Sequence, residues 1–439
     1  MKRIILDKLI EWKNKQDRKA LIIRGARQVG KTYLLRTFGQ EYFTSVHYFN
    51  FERDESLSRI FANDLNPKRI LQELSFYLNR SINKDRDLVI FDEIQNVPKA
   101  LTSLKYFQEE LPELAICCAG SLLGVYLSDE SFPVGKVEIL NMFPMSFEEF
   151  LLGTGDARTW DFLKHLKADM EIPDIIHDHF WEQLKNYFVV GGLPEVVNTF
   201  AEHRDDLFKA FELVRKKQED LLATYIADMA KHSGKQNAMH LERLWHSIPA
   251  QLAKEQNGGG KFKFKGIIPG RARYSQLAGS IDWLHTAGLI LKVPVVNSAA
   301  LPFSAHAKEN SFKLYVFDVG LLGALSHLPA KTILDYDYGT YKGFFAENFI
   351  AQEFLCAGAG ELYCWREGTA EIEFLREIKG DVLPLEVKSG WVTQSKSLKV
   401  FHQKYKPPYR TILSAHTLSI DHANKVYRYP LYLAGRFPL

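Results

Sequence analysis

The sequence contains no C-x-x-C pair of cysteines and no apolar run long enough to span a membrane. Its 439 residues include four cysteines, Cys117, Cys118, Cys356 and Cys364, and no C-x-x-C spacing, which argues against a disulfide framework or a structural zinc site. The longest candidate for a membrane span, 114–127, is shorter than the roughly 20 residues that cross a bilayer. The N-terminal segment is charged and lacks the apolar centre of a secretory signal. We therefore expect a cytoplasmic protein.

A strong excess of charge of one sign is also missing. The 56 basic and 53 acidic residues leave a formal net charge of +3, which is too small to identify a nucleic-acid or membrane partner. Binding to a nucleic acid would therefore require a local basic patch. Internal repeats and low-complexity tracts are absent, and the hydrophobic fraction of 46% is that of an ordinary globular protein.

The first 150 residues alternate short apolar runs with helix-like segments. Continuous apolar runs of this length are typical of strands that are buried on both faces, as in a parallel sheet with crossover helices. The pattern predicts an α/β fold for this part of the chain. The runs lie at 20–25, 46–51, 87–93, 114–120 and 136–142.

A phosphate-binding loop is predicted directly after the first strand. The segment GARQVGKT matches G-x-x-x-x-G-K-[ST] and precedes a helix-forming segment. Backbone N–H groups of such a loop and the helix N-terminus favour phosphate oxygens. We expect Lys31 to contact the β- and γ-phosphates and Thr32 to bind Mg²⁺. The predicted nucleotide-binding residues are Gly25, Ala26, Arg27, Gln28, Val29, Gly30, Lys31 and Thr32.

Polar residues follow two further predicted strands. Asp92 and Glu93 end the apolar run 88–91, and ligands of open α/β sheets bind at the carboxyl ends of the strands. We expect Asp92 to hold Mg²⁺ and Glu93 to polarise the attacking water, although the two acids could instead cap the next helix. Ser121 follows another strand and is predicted to contact the γ-phosphate, with an ordinary turn serine as the alternative.

The segment from 21 to 149 resembles the AAA-type P-loop ATPases of bacteria and archaea, whose ATPase core precedes an uncharacterised C-terminal region. The resemblance rests on the phosphate-binding loop, on DEIQ at 92–95 and on FPMSFEEFL at 143–151. It continues through GGLPEVV at 191–197 and FKLYVFDVGLLG at 312–323. It implies ATP as the nucleotide, with Mg²⁺, and a helical lid after the core.

One position departs from this resemblance. These proteins often carry Gly-Arg before the fifth strand, and this chain has Gly135 and Lys136. A lysine supplies charge but not the bidentate fork of a guanidinium group. The resemblance therefore leaves the oligomeric state and an arginine finger open. Arg27 is another candidate cation beside the phosphates, or else an exposed loop residue.

The C-terminal part contains four residues in a pattern that can hold a metal ion. Glu347 lies on a helix-like segment, and Glu373 lies on a predicted strand. Residues two apart on a strand share a face, so Glu386 and Lys388 point the same way. A two-residue hairpin loop at 379–380 would place Glu373 opposite Glu386.

This pattern is similar to the acid, acid-x-lysine signature of the restriction-endonuclease-like superfamily. The resemblance implies Mg²⁺ between the carboxylates, with Lys388 assisting in phosphodiester cleavage. Glu373 stands where the superfamily usually has Asp, and a displaced metal lowers the rate. A DNA-binding or inert module of the same fold and a solvated charged hairpin are the alternatives.

A basic stretch precedes this region. Its residues could follow a DNA backbone through salt-sensitive phosphate contacts, or could form a solvated edge that prevents aggregation. Helix-like segments on both sides suit a winged-helix-like domain. The basic residues are Lys261, Lys263, Lys265, Arg271 and Arg273.

We predict four domains and two candidate functions. The first candidate is an ATPase coupled to nucleic-acid binding or processing by its C-terminal domain. The second is a nucleotide-dependent switch or remodelling ATPase whose C-terminal module only recognises a partner. The predicted domains are an ATPase core at 1–154, a helical lid at 155–235, a winged-helix-like domain at 236–310 and a nuclease-like domain at 311–439.

Overall fold

The computed structural model divides the chain into two compact units. The N-terminal unit is Met1–Phe143 with Thr286–Gly288, and the C-terminal unit is Pro144–His285 with Leu289–Leu439. No helix within the described ranges is both long enough and apolar enough to cross a membrane. The structure describes residues 1–121, 132–254, 260–335, 342–391 and 395–439.

The N-terminal unit is built on a parallel sheet. Its strands are β1 (Ala20–Arg24), β2 (Ser45–Asn50), β3 (Asp87–Asp92), β4 (Ala115–Gly120) and β5 (Val137–Asn141). Their order is β2-β3-β4-β1-β5, and each neighbouring pair is parallel. This confirms the predicted parallel α/β core. The helices are α1 (Ile5–Lys13), α2 (Lys31–Tyr42), α3 (Pro67–Tyr77) and α4 (Pro98–Glu110), with 3₁₀ segments at Glu55–Phe61 and Ile94–Asn96.

The apolar composition of the central strands follows from their burial. Every residue of β3 and of β4 is buried, as expected for parallel strands covered on both faces. The register pairs Arg24 with Gly120 and Asp92 with Ala119. The segments that follow β1, β3 and β4 therefore start side by side at one edge of the sheet.

Helices and a mixed sheet make up the rest of the chain. The helices are α5 (Phe147–Gly153), α6 (Ala157–His165), α7 (Asp174–Val190), α8 (Pro194–His203), α9 (Leu207–Ser233), α10 (Lys235–Lys254), α11 (Tyr274–Thr286), α12 (Val319–Leu325), α13 (Ala330–Leu334), α14 (Lys342–Cys356) and α15 (Lys396–Tyr405). The strands are β6 (Ile290–Val296), β7 (Ala307–Val316), β8 (Tyr363–Glu367), β9 (Ala370–Ile378), β10 (Asp381–Val387), β11 (Arg410–Ser414), β12 (Ser419–Asp421) and β13 (Val426–Pro430), and further 3₁₀ segments are Phe303–His306 and Leu431–Arg436.

One predicted domain boundary falls inside a strand of this mixed sheet. The strand order is β12-β13-β11-β10-β9-β8-β6-β7, and β7 runs through the boundary predicted at 310. The hairpin of β6 and β7 joins the sheet because β6 pairs in parallel with β8. The sequence pattern could not reveal this pairing, since β6 and β8 are far apart along the chain. The remaining boundaries of the four-domain division stay predictions.

Three segments that carried the family resemblance meet inside the C-terminal unit. The Met145 N–H donates to the Gly192 carbonyl at 2.6 Å, and the Gly192 N–H donates to Asp318 Oδ2 at 2.6 Å. The Tyr187 hydroxyl donates to the Met145 carbonyl. A Cβ atom at Gly192 would overlap that same carbonyl oxygen. These segments therefore have a structural role in the second unit.

Candidate functional site

The predicted phosphate-binding loop joins β1 to α2 in a tight turn. A Cβ atom at Gly25 would overlap the carbonyl oxygen of Met142, so only glycine fits this position. Gly30 has φ 95°, a left-handed value that suits glycine, and Gln28 also has a positive φ of 65°. The side chain of Val29 is buried. The loop backbone is therefore shaped before any ligand binds.

The side chain of Lys31 is hydrogen-bonded to the backbone of the phosphate-binding loop. Its Nζ donates to the carbonyl oxygens of Gly25 at 2.9 Å and Ala26 at 2.7 Å, and the residue is 6% exposed. Burial lowers the pKa of Lys31 to about 8, against the opposing effect of the nearby Glu93 and Asp92 carboxylates. A bound polyphosphate would favour its charged form.

Oxygen ligands suitable for Mg²⁺ meet at the end of β3. Asp92 Oδ2 accepts hydrogen bonds from Thr32 Oγ1 at 2.9 Å and from the Tyr48 hydroxyl at 2.6 Å. Burial raises the pKa of Asp92, while the bonds from Tyr48 and Thr32 oppose this rise. A hydroxyl and a carboxylate in contact fit the preference of Mg²⁺ for oxygen. Thr32 and Asp92 would therefore hold the metal.

Tyr48 is a site residue that the sequence analysis missed. It lies on β2, two residues before Asn50, which pairs with Asp92 in the sheet. Burial and the bond to Asp92 raise the pKa of Tyr48 to about 12, so its hydroxyl remains a donor. The only signal in the sequence was a polar-tipped residue near the end of a neighbouring strand.

Glu93 is fixed by side chains on both sides of it. Its Oε2 accepts hydrogen bonds from Gln95 Nε2 at 2.5 Å and from Ser121 Oγ at 3.2 Å. Its own backbone is left-handed, with φ 52° and ψ 44°. Gln95 is 5% exposed and was not singled out in the sequence, although it ends the DEIQ motif.

Arg27 belongs to the same network. Its Nε donates to Ser121 Oγ at 3.2 Å, and its Nη2 lies 3.7 Å from Glu52 Oε1. Lys136, the other predicted cation, instead pairs with Glu109 at 3.0 Å. The structure therefore brings Arg27, Ser121 and Glu93 together.

Two of the predicted C-terminal carboxylates, Glu373 and Glu386, lie on the hairpin of β9 and β10. Lys379 and Gly380 form its loop with φ 54° and 90°, a pair of positive values typical of a two-residue type I′ turn. The register pairs Phe374 with Leu385, and its continuation by one residue places Glu373 across from Glu386. This is the pairing that the sequence analysis predicted.

Two lysines form ion pairs with carboxylates on the hairpin and on α14. Lys313 Nζ lies 2.6 Å from Glu371 Oε1 and 3.2 Å from Glu347 Oε2, and Lys313 is buried. Lys388 Nζ lies 2.5 Å from Glu386 Oε1. Lys313 and Glu371 were both missed, because their roles depend on how β7 and β9 are placed in the sheet.

The acids of this cluster are held by ion pairs and hydrogen bonds within the protein. Burial, reinforced by Glu386 and Glu347, raises the pKa of Glu373 well above its ordinary value. Its Oε2 accepts a hydrogen bond from the Val387 N–H at 3.1 Å. In the described part of the chain, no three His, Cys, Asp or Glu side chains form a group that could hold a metal. The nuclease-like role of Glu347, Glu373, Glu386 and Lys388 stays a prediction.

The basic stretch is exposed but is not a regular strand. Lys261, Lys263 and Lys265 are exposed, and Phe262 between them is buried. The Phe262 N–H donates to the Phe312 carbonyl at 2.9 Å, which fixes the alternation without a strand ladder. Among the described residues, none of the five basic side chains forms an ion pair with a carboxylate. The stretch is completed by Arg271, which is partly exposed, and by the exposed Arg273.

Three family models match the chain. Residues 17–151 match the model of an AAA domain. Residues 181–332 and 342–432 match the models of two domains of unknown function, DUF8612 and DUF4143 respectively. The search of curated proteins finds no match.

Several solved structures are similar to this chain at low sequence identity. The Walker-type ATPase PABY2304 of Pyrococcus abyssi is 16% identical with a TM-score of 0.45, over 73% of this chain and 94% of that chain. The Aeropyrum pernix ORC1 protein in complex with DNA is 14% identical with a TM-score of 0.32, over 76% and 95%. The Thermotoga maritima RuvB Holliday junction branch migration motor is 16% identical with a TM-score of 0.32, over 66% and 87%.

Residues 17–151 are therefore similar to an AAA-type P-loop ATPase domain. The AAA model covers the phosphate-binding loop and the strand that ends at Asp92. The parallel sheet places both at one edge, where nucleotides bind in this class of fold. The activity that defines the class is the hydrolysis of ATP.

Proposed function

We propose that this chain hydrolyses ATP at the edge of its N-terminal sheet and couples hydrolysis to nucleic-acid binding by its C-terminal unit. The observation that carries the first part is the contact of Thr32 and Asp92 beside the buried Lys31. A hydroxyl, a carboxylate and an ammonium group in this arrangement match the requirements of a magnesium–triphosphate complex.

Each residue of the network has a distinct role in this proposal. Lys31 and the loop N–H groups bind the phosphates, and Thr32 and Asp92 hold Mg²⁺, which neutralises phosphate charge when bound. Hydrolysis forms a bond between a water oxygen and the γ-phosphorus and breaks the bond from that phosphorus to the bridging oxygen. Glu93 accepts the proton of the water, and ADP and phosphate leave. Ser121 orients Glu93 through their hydrogen bond.

The exposed basic stretch supports the nucleic-acid part. Its five cations lie within 13 positions of one another along the chain, and the phenylalanines between the lysines anchor the segment by packing on Phe312. Cations that are free of carboxylate partners can release counterions from a duplex when they bind its phosphates. We therefore propose duplex DNA as the partner class.

The test is ATP turnover with and without duplex DNA at two salt concentrations. We expect DNA to stimulate turnover at low salt and to lose this effect at high salt. Replacing three lysines of the stretch by alanine should weaken DNA binding and lower the salt slope by about 0.9 for each phosphate that the variant no longer neutralises. The matched control removes three exposed lysines from helices of the same unit, namely Lys209, Lys216 and Lys235.

A second candidate function is a nucleotide-dependent switch whose C-terminal unit only recognises a partner. The observation that favours it is the pairing of Lys313 and Lys388 with carboxylates, which leaves the nuclease-like residues engaged with one another. Turnover that ignores DNA at both salt concentrations would support this candidate. In this candidate the hairpin of β9 and β10 belongs to a restriction-endonuclease-like module that binds a partner without cleaving it.

A further inference from the structure

A guanidinium group lies at the edge of the N-terminal sheet, in contact with Ser121, which is predicted to face the γ-phosphate. Arg27 belongs to the phosphate-binding loop, and its Nε donates to Ser121 Oγ at 3.2 Å. Ser121 Oγ in turn donates to Glu93 Oε2 at 3.2 Å. Two hydrogen bonds therefore connect Arg27 to the carboxylate that accepts the proton from water.

We propose that Arg27 is an arginine that this ATPase uses within its own chain to stabilise the transition state of ATP hydrolysis. This inference rests on the proposed nucleotide site. As the bond from the γ-phosphorus to the bridging oxygen breaks, negative charge is spread over the oxygens of the transferring group. A planar guanidinium group can donate two hydrogen bonds to such oxygens.

The ion pair between Arg27 and Glu52 is long and partly exposed to solvent. The side chain of Arg27 is 24% exposed, and its Nη2 lies 3.7 Å from Glu52 Oε1, whose side chain is 39% exposed. Partly exposed ion pairs of this kind contribute little to stability. A bound triphosphate carries far more negative charge than Glu52 does, so it would attract the guanidinium group away from Glu52.

Lys136 is less suited to the same task. Its Nζ lies 3.0 Å from Glu109 Oε1, a shorter ion pair than that of Arg27. A lysine also lacks the fork geometry that recognises two oxygens at once. With Arg27 in the same chain as the phosphate-binding loop, turnover needs no cation from a second subunit. The rate for each chain should then be independent of protein concentration.

The experiment compares Arg27→Ala and Arg27→Lys with Lys136→Ala, using the full chain without DNA. We expect both Arg27 variants to lower kcat by about 10²–10³-fold, the usual loss for one transition-state donor, and Lys136→Ala to keep it. Binding of a fluorescent ADP analogue should stay close to that of the parent in all three. The affinity for ADP with aluminium fluoride, which imitates the transferring phosphoryl group, should fall in the Arg27 variants only.

Several outcomes would overturn the proposal. Parental turnover in Arg27→Ala would exclude the role, and an equal loss of ADP and ADP–aluminium fluoride binding would assign Arg27 to ground-state binding instead. A rate for each chain that rises with concentration and depends on Lys136 would indicate a cation from another subunit. Failure of the proposed nucleotide site would give a different result from failure of the Arg27 role. In that case Lys31→Ala would leave ADP binding intact. Thermal unfolding of each variant checks that it folds.

Discussion

Glu93 and Gln95 hold one another at the end of β3 in a way that suits catalysis. The left-handed backbone of Glu93 is unfavourable for a residue with a side chain, at a cost of about 1–3 kcal/mol for such strained positions. The bonds from Gln95 and Ser121 both reach Oε2, so the carboxylate is oriented through one of its oxygens. An oriented carboxylate can accept a proton from water without rearranging first.

At this residue scale, Glu93→Gln should separate binding from turnover. The amide keeps the size of the side chain but cannot take a proton, so we expect turnover to fall by about 10²–10⁴-fold. Nucleotide binding should be retained, because Lys31 and the loop are untouched. Steady-state hydrolysis and titration with a fluorescent ATP analogue measure the two quantities. Glu110→Gln, at an exposed position of α4, is the control, and unchanged turnover in Glu93→Gln would remove Glu93 from this role.

At the scale of elements, the sequence predicted what local patterns encode. Apolar runs identified β1, β3 and β4 because both faces of these strands are buried. The glycine pattern identified the loop because Gly25 has no space for a Cβ atom. The hairpin of β9 and β10 was also predictable, since a two-residue loop fixes its register.

Features that depend on long-range pairing could not be predicted in the same way. Tyr48 on β2 donates a hydrogen bond to Asp92 at the end of β3. Lys313 on β7 forms an ion pair with Glu347 on α14. Nothing near either residue in the sequence marks its partner. The boundary predicted at 310 falls inside β7 for the same reason, because most strands of the sheet that contains β7 follow much later in the chain.

The two glycines between α7 and α8 give a prediction about stability at the scale of elements. Gly192 lies between the two helices, where an added Cβ atom would overlap the Met145 carbonyl and disturb the bond from the Gly192 N–H to Asp318. Overpacking of this kind costs about 1–3 kcal/mol. Gly192→Ala should therefore lower the free energy of unfolding by at least about 1 kcal/mol. Chemical denaturation measures it.

The matched control for this change is Gly279→Ala in α11. A Cβ atom at Gly279 meets nothing within 4 Å, and alanine in a helix is favoured over glycine by about 0.5–1 kcal/mol. We therefore expect Gly279→Ala to stabilise the protein slightly. Equal effects of the two substitutions would contradict the role assigned to Gly192.

At the scale of the whole molecule, buried acids make stability depend on pH. Burial raises the pKa of Asp318 to about 6, against the bonds that it accepts from backbone N–H groups. Burial raises the pKa of Glu353 to about 8, and this carboxyl accepts only a partly compensating bond from the Phe147 N–H. Both groups lie in the C-terminal unit. Near neutral pH, Glu353 therefore favours its protonated form in the folded chain.

The sign of the pH effect follows from the direction of this shift. The pKa of Glu353 is higher in the folded chain than its ordinary value of 4.5, so its contribution to stability is fully present below about pH 4.5 and is lost as the pH rises through about 8.

Glu353→Gln imitates the protonated form and cannot ionise. Because one pKa unit corresponds to about 1.4 kcal/mol, the variant should exceed the parent in free energy of unfolding by at least about 1 kcal/mol at pH 8. The two should converge towards pH 5, as measured by urea denaturation across this range, whereas Glu212→Gln, an exposed residue of α9, should follow the parent throughout. A constant difference between Glu353→Gln and the parent from pH 5 to pH 8 would show that the ionisation of Glu353 is not the cause.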